Sequence, residues 1–591
     1  MFYKKLLQSK LAKLQIDRLF KTGIVALFLG VLPSVALSES FKLELDSELG
    51  RLLTNLPENG WVQLNINEFR DVWTPLDQRP NPPAPSVGGP WGVIEAWSSM
   101  AWDSKRGTLI FWGGGHANYP GNEVYRWSAS TLSWERASLP SEVINVGSSD
   151  NYFEAIDGID NAPIAAHTYD NSEYLPIVDR FVTFGGASFN TGRYFEDVNR
   201  RRTGPYFWDP SRASANAVGG TQGSQVNPEI FSSITAGNMW ENRDNLEPEF
   251  SDDHKPGQGG TYWIDGTTAY AEEDGKDVLY IGVGSTLTKY TVHDLSDASK
   301  DTYELQGRYI KFPFSFQGAG AFDPIRKVYL RTAGSTFTFW TLENPSRNNE
   351  NVIFVPQVTA GEFPFSELKN FGLDFDRLRN RYLLWDGKSE VWQLTAPVDL
   401  INGQWQLTPL TPILENAPNA SAGTGILGKW KYIKELDVFL GAVNKDSGEI
   451  WAYKPVNWSP DIAPLNKEPI PVIRANDQSG TDIEFQSGNT LSLTVTLSPG
   501  QQIGSPADYW VKAETPFGDY WLNSELQFVR SDTPVPAYDG ALIKLSDMII
   551  FEHSVSTLPP GNYTITFAVD NNQDKNYDRT YYSSVSFTIL P

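Results

Sequence analysis

The sequence predicts an all-β protein in two parts, a β-propeller followed by a C-terminal β-sandwich. Three observations predict it. Aromatic residues are abundant, with 20 Trp, 25 Tyr and 32 Phe against 4 Met, and aromatics favour pleated strands over helices. The 49 Gly and 39 Pro punctuate short apolar runs, as turns between many short strands require. One strand–turn–strand grammar also recurs along the chain, at starts roughly 50 residues apart from the third copy onward.

Residues 1–38 read as an export signal. Lys4, Lys5, Lys10, Lys13, Arg18 and Lys21 form its positive end, "TGIVALFLGVLPSVAL" its apolar segment, and Ala36 and Ser38 the small residues before a cut at Glu39. The alternative is an uncleaved anchor, for which a stretch containing Pro33 is short. No later run is long enough to span, so the expectation is a secreted or periplasmic protein with no membrane span after cleavage. The net charge of −23 argues against a nucleic-acid partner. The absence of cysteine excludes disulfides, thiolate metal sites and cysteine nucleophiles.

Residues 39–458 carry the repeats. "SSMAWDSKRGTLIFWGGG" is the first clear copy, and "IAAHTYDNSEYLPIVDRFVTFGG" the second. The others open at "TAYAEEDGKDVLYIGVG", "GAGAFDPIRKVYLRTAG", "GLDFDRLRNRYLLWDG" and "TGILGKWKYIKELDVFLG". Each combines an aromatic-Asp pair or its equivalent, a turn, an apolar strand, a small-residue break and an aromatic strand. The pairs are Trp102-Asp103, Tyr169-Asp170, Phe322-Asp323 and Phe375-Asp376. Four-stranded sheets at this period imply a propeller. Six blades are clear, and the roughly 100 residues between the second and third starts leave room for a degenerate seventh. "GWVQLNI" (60–66) is expected to supply the outer strand that closes the ring with the last blade. This grammar resembles the kelch repeat and the central domain of galactose oxidase. The copper chemistry of that enzyme needs a Cys–Tyr crosslink, and this chain has no cysteine.

Residues 459–471, "SPDIAPLNKEPIP", form a Pro-rich linker. Residues 472–591 alternate apolar and polar with period two, in "TLSLTVTLSPG" and "GNYTITFAVD" for example, and form a β-sandwich. It resembles the sandwich modules appended to many secreted bacterial proteins. Near its end, "VDNNQDKNYD" places oxygens at Asp570, Asn572, Asp574, Asn576 and Asp578. That alternation resembles a calcium loop without the Gly and Glu of an EF-hand; an Asx-rich hairpin turn is the other reading. No other cofactor is called for.

In a blade whose first strand is innermost, the loop after the second strand and the loop before the first open on the same face. His116 follows the glycines at 113, 114 and 115, and His167 lies near the start of an inner strand. Both imidazoles are therefore expected at one mouth of the channel. The second blade adds Arg193, Tyr194, Arg200, Arg201 and Arg202 in a long loop. Arginine clamps carboxylates, and His and Tyr move protons. These parts suit β-elimination from a uronic-acid polysaccharide, with His116, His167, Tyr194 and Arg202 as catalytic candidates. Arg193, Arg200, Arg201, Asn118, Tyr119 and Asn122 are candidate sugar contacts. The set is loosely similar to the His/Tyr/Arg sites of propeller polysaccharide lyases, which implies a secreted carbohydrate-active enzyme and an acidic polysaccharide partner. The alternative is a non-catalytic glycan-binding or cell-surface protein. Each residue also has a structural reading: His116 bonding a loop backbone, His167 satisfied in a core, the arginines pairing with surface acids, and Asn-Tyr-Pro-Gly as turn chemistry.

Overall fold

A computed structural model describes residues 40–590 except 82–87, 116–117, 146–152, 190–204, 222–234, 244–264, 284–285, 309–316, 347, 412, 414–415, 420–422, 463–467, 477, 479, 481–482 and 487. The export signal, His116, Arg193, Tyr194, Arg200, Arg201 and Arg202 lie outside the described residues. The chain is mostly β, in small and largely antiparallel sheets.

Six four-stranded antiparallel meanders follow one another, each beginning where a repeat begins. Their first strands are Ser99–Asp103, Ser172–Leu175, Thr267–Glu273, Gly320–Asp323, Gly372–Asp376 and Trp430–Ile433. The first strand of each sheet lies against that of the next, and the sixth lies against the first. The fifth sheet gains a parallel edge strand, Gln357–Val358. The sixth draws its fourth strand from the other end of the chain. Trp61–Gln63 pairs with Glu449–Tyr453, Trp61 opposite Tyr453, as "GWVQLNI" leads one to expect. No seventh sheet of this form occurs among the described residues. The long interval after the second repeat instead holds that sheet's outer strands, Tyr206–Trp208 and Trp240–Asn242.

Period-two alternation places a separate core at every junction between sheets. Along Thr108–Trp112, Leu109 and Phe111 face the sixth sheet, packing with Leu440 and Ile450, while Ile110 and Trp112 face the second, packing with Phe181 and Trp208. Four further clusters fill the junctions from second to third through fifth to sixth.

The aromatic-Asp pair has a structural cause. Asp103 accepts the backbone N–H of Lys105 and Arg106, closing the first hairpin, and receives Arg106 at 2.9 Å. Arg106 then reaches the next sheet and binds Asp179 through both terminal nitrogens, at 2.6 and 2.8 Å. Tyr174 of that sheet donates to the same carboxylate. Asp376, Arg379, Asp437 and Tyr432 repeat the clasp between the fifth and sixth sheets. Arg326 donates to Asp323 of its own hairpin and to Asn380 of the next sheet, between the fourth and fifth. Burial pushes the Asp179 carboxyl up, but the bonds from Arg106 and Tyr174 outweigh it and hold it down at about 2.

Tyr169-Asp170 departs from this pattern, because it precedes the inner strand of its sheet instead of ending it. Asp170 accepts Gly320 N–H at 2.8 Å and lies 3.4 Å from Lys431 Nζ, which donates to Glu173 at 2.9 Å. Thr268 donates to the Asp170 carbonyl. One buried aspartate thus touches the inner strands of the third, fourth and sixth sheets beside its own. Burial, opposed by Lys431, pushes its carboxyl up to about 7.

After the sixth sheet, Ile462 bridges back to Leu43 and Ser459 N–H donates to Asp437. The C-terminal part has two sheets. One contains Ile470–Ala475, Thr490–Ser498 and Leu545–Ser554; the other centres on Pro506–Thr515, Gly561–Asp570 and Tyr581–Ile589. Their facing side chains, among them Leu493, Val495, Val511 and Phe567, make one core.

Candidate functional site

His167 lies in a two-residue strand, Ala166–His167, paired with Ala187–Ser188. It is not in the inner strand, which begins at Ser172. The glycine breaks hold this segment. A Cβ on Gly115 would stand 2.3 Å from Ala166 Cα, and one on Gly186 would stand 1.8 Å from His167 O. The breaks are glycine because two backbones meet there with no room for a side chain.

The imidazole is 1% exposed. Its Nε2 lies 3.1 Å from Asn118 Oδ1; an amide oxygen only accepts, so Nε2 carries the proton. The Trp97 ring lies 4.9 Å away, tilted by 36°, and Tyr169 meets the imidazole edge-on at 6.2 Å. Trp97, Tyr169 and Leu427 form one cluster with Ala187. All three have left-handed backbones, with φ of 43°, 52° and 53°, a conformation that costs bulky residues about 1–3 kcal/mol each. Each stands just before an inner strand. Tyr169 N–H donates to Trp97 O at 2.7 Å, and Gly428 N–H to Tyr169 O at 3.4 Å, which ties the three connections together.

Polar groups surround Trp97. Its indole N–H donates to Gln317 Oε1 at 2.7 Å, and its backbone N–H to Thr424 Oγ1 at 2.9 Å. Gln317 passes the chain on to Asn370 Oδ1 at 3.1 Å. Gln317, Asn370 and Thr424 precede the inner strands of the fourth, fifth and sixth sheets. Trp97 and these three are partly exposed, and Asn118 is exposed. The connections entering five sheets therefore meet at one place, an indole ringed by amides and a hydroxyl. Sequence reasoning found His167 and Asn118 there and missed Trp97, Gln317, Asn370 and Thr424. The signal was present: each sits two to six residues before an inner strand, as His167 sits five before its own.

The other described candidates, Tyr119, Asn122 and the 570–578 loop, lie away from this place. Tyr119 is 1% exposed and donates to Glu123 at 2.7 Å, which also accepts Tyr125 and Thr74. Burial next to that carboxylate pushes the phenol well above its ordinary range. Asn122 is 2% exposed, donating to Pro163 O and accepting Ser141 N–H. Both are interior struts: at 1% and 2% exposure they are enclosed by the protein, unlike the partly exposed groups around Trp97. In the C-terminal loop, Asp570 accepts Asp578 and Thr580 N–H, Asp574 accepts Asn576 N–H, and Asn572 donates to Asp578. Asp570, Asn572 and Asp574 thus accept backbone N–H groups of their own loop, and no group of three or more His, Cys, Asp or Glu placed to hold a metal forms among the described residues. The arrangement fits the hairpin reading.

No family model matches the chain, and no curated protein matches it. Among solved structures the chain is similar to the major Malassezia sympodialis allergen Mala s 1, at 10% identity and a TM-score of 0.31, over 68% of this chain and 96% of that one. A likeness that distant carries no argument about activity. Among the described residues, no helix is long and apolar enough to cross a membrane.

Proposed function

We propose that the chain is an exported glycan-recognition protein: a six-bladed, kelch-like propeller with a C-terminal β-sandwich, binding polysaccharide at the Trp97 mouth. The propeller reading is supported by six meanders, six inter-sheet cores, and contact between the sixth inner strand and the first. The mouth carries the functional reading. Trp97 offers an aromatic face to sugar C–H groups, and Asn118, Gln317, Asn370 and Thr424 offer the mixed donors and acceptors that hydroxyls need. The His167 ring packs against the indole at 4.9 Å, and Tyr169 belongs to the same apolar cluster. Export is supported by the basic and apolar leader.

Recognition is favoured over a lyase that uses His167 as its base by one observation: His167 is 1% exposed and its Nε2 faces Asn118 Oδ1 at 3.1 Å. A base for β-elimination must reach a sugar carbon. Incubation with panels of neutral and uronic-acid polysaccharides tests the reading. Saturable binding with no unsaturated product is expected, and Trp97→Ala lowers affinity about tenfold or more. Release of unsaturated uronate would replace recognition with the lyase; wild-type binding by folded Trp97→Ala would remove the site.

A further inference from the structure

A cavity lies among the inner strands, where their hairpins turn. Its volume is about 190 Å³, smaller than the roughly 300–1,000 Å³ of sites for drug-sized ligands, so it suits an occupant of few heavy atoms. Its walls include Trp102, Tyr270, Phe322 and Tyr432, contributed by four different sheets. Phe322 stacks on Tyr280 at 5.2 Å while still lining the cavity.

Four carboxylates, Glu173, Glu272, Asp374 and Glu435, line the cavity together with three cationic side chains, Arg377, Lys431 and Lys434. Lys431 donates to Glu173 and lies near Asp170, and Asp374 takes its bonds from backbone N–H groups of Phe375 and Tyr432. Glu435, 1% exposed, also lines the cavity. Its Oε2 receives the Trp102 indole N–H at 3.1 Å, while its Oε1 accepts no hydrogen bond. The nearest cation to that oxygen is Lys434 Nζ, at 3.7 Å and on a largely exposed side chain.

We propose that this cavity binds a small organic ammonium ion, about the size of choline. Trp102, Tyr270, Phe322 and Tyr432 line it, and an aromatic ring attracts a cation more strongly when water is excluded. The lining carboxylates exceed the lining cations by four to three and supply the opposite charge; Glu435 Oε1 accepts no hydrogen bond and is ion-paired at 3.7 Å with Lys434, whose side chain is largely exposed. Burial pushes up the carboxyls of Asp170, Glu173 and Asp374, and Lys431 opposes it at each. This site is independent of the Trp97 mouth.

Calorimetric titration of the folded protein with choline chloride tests the proposal, with 3,3-dimethylbutan-1-ol as the neutral isostere. Saturable choline binding is expected, with the isostere at least about tenfold weaker. Glu435→Gln and Phe322→Leu, each confirmed folded by circular dichroism, should each weaken choline about tenfold. Three results would overturn the proposal: no saturable choline binding, equal affinity for the isostere, or wild-type affinity in both variants.

Discussion

Arg379 shows how one side chain serves two sheets. It closes its own hairpin on Asp376 and binds Asp437 of the next sheet at 2.8 and 2.7 Å, with both carboxylates fully buried. Arg379→Ala would leave Asp376 and Asp437 buried without it, so a loss of about 3–5 kcal/mol is expected in urea unfolding. A loss below about 1 kcal/mol would reduce the clasp to an ornament of the surface. The sequence displayed this motif as an aromatic-Asp pair with arginine three residues on. It did not display Asp170, whose local sequence imitates the motif while its partners lie 150 and 261 residues away. Burial raises Asp170 from 3.8 to about 7 and lowers Lys429 from 10.5 to about 7. Between about pH 4 and 7 the folded state keeps a proton on Asp170 that the unfolded chain has released. That contribution is complete below about pH 4 and is lost as pH rises through 7. Above pH 7 the unfolded chain protonates Lys429 and the folded state does not, so stability recovers toward pH 10. Melting temperature should therefore dip near neutrality, and Asp170→Asn should flatten the acid side. A wild-type curve rising steadily from pH 5 to 8 would contradict this.

At the scale of elements, the strand Trp61–Gln63 is the most consequential short segment. Trp61 is 2% exposed and packs on Trp385, Trp430 and Tyr453 at 5.1–5.9 Å. Trp61→Ala should cost about 3–5 kcal/mol, read by denaturant unfolding, and a loss under about 1 kcal/mol would mean that the sixth sheet stands without it. This strand was legible because a lone aromatic strand before the first repeat needs a partner, and the last repeat lacks a fourth strand. The Asp570 loop was legible only as an ambiguity. Alternating oxygens look the same whether they face a cation or their own backbone; here Asp570 and Asp574 accept backbone N–H groups. A saturating chelator should leave the melting temperature unchanged, and a drop of several degrees would restore the calcium reading. The two-residue strand at His167 was not legible, because so short an element has no period to detect. The neighbouring glycines were its only trace.

For the whole molecule, the order of six sheets could be read from the sequence, with a seventh left open, because each repeat is a local unit. The site could not, because it is assembled from residues before five different inner strands, spread from Trp97 to Thr424. No local window contains it; only the superposition of repeats does. The arginine loop that suggested an acidic substrate, at 193–202, lies outside the described residues, so the substrate's charge rests on the sequence alone. The central claim is that glycan is held where those connections converge. Hydrogen–deuterium exchange of the full chain, with and without a polysaccharide that it binds, tests this most directly. Protection confined to the peptides carrying Trp97, Asn118, Gln317, Asn370 and Thr424 is the predicted result. Protection confined to the C-terminal sheets, with these peptides unchanged, would contradict it.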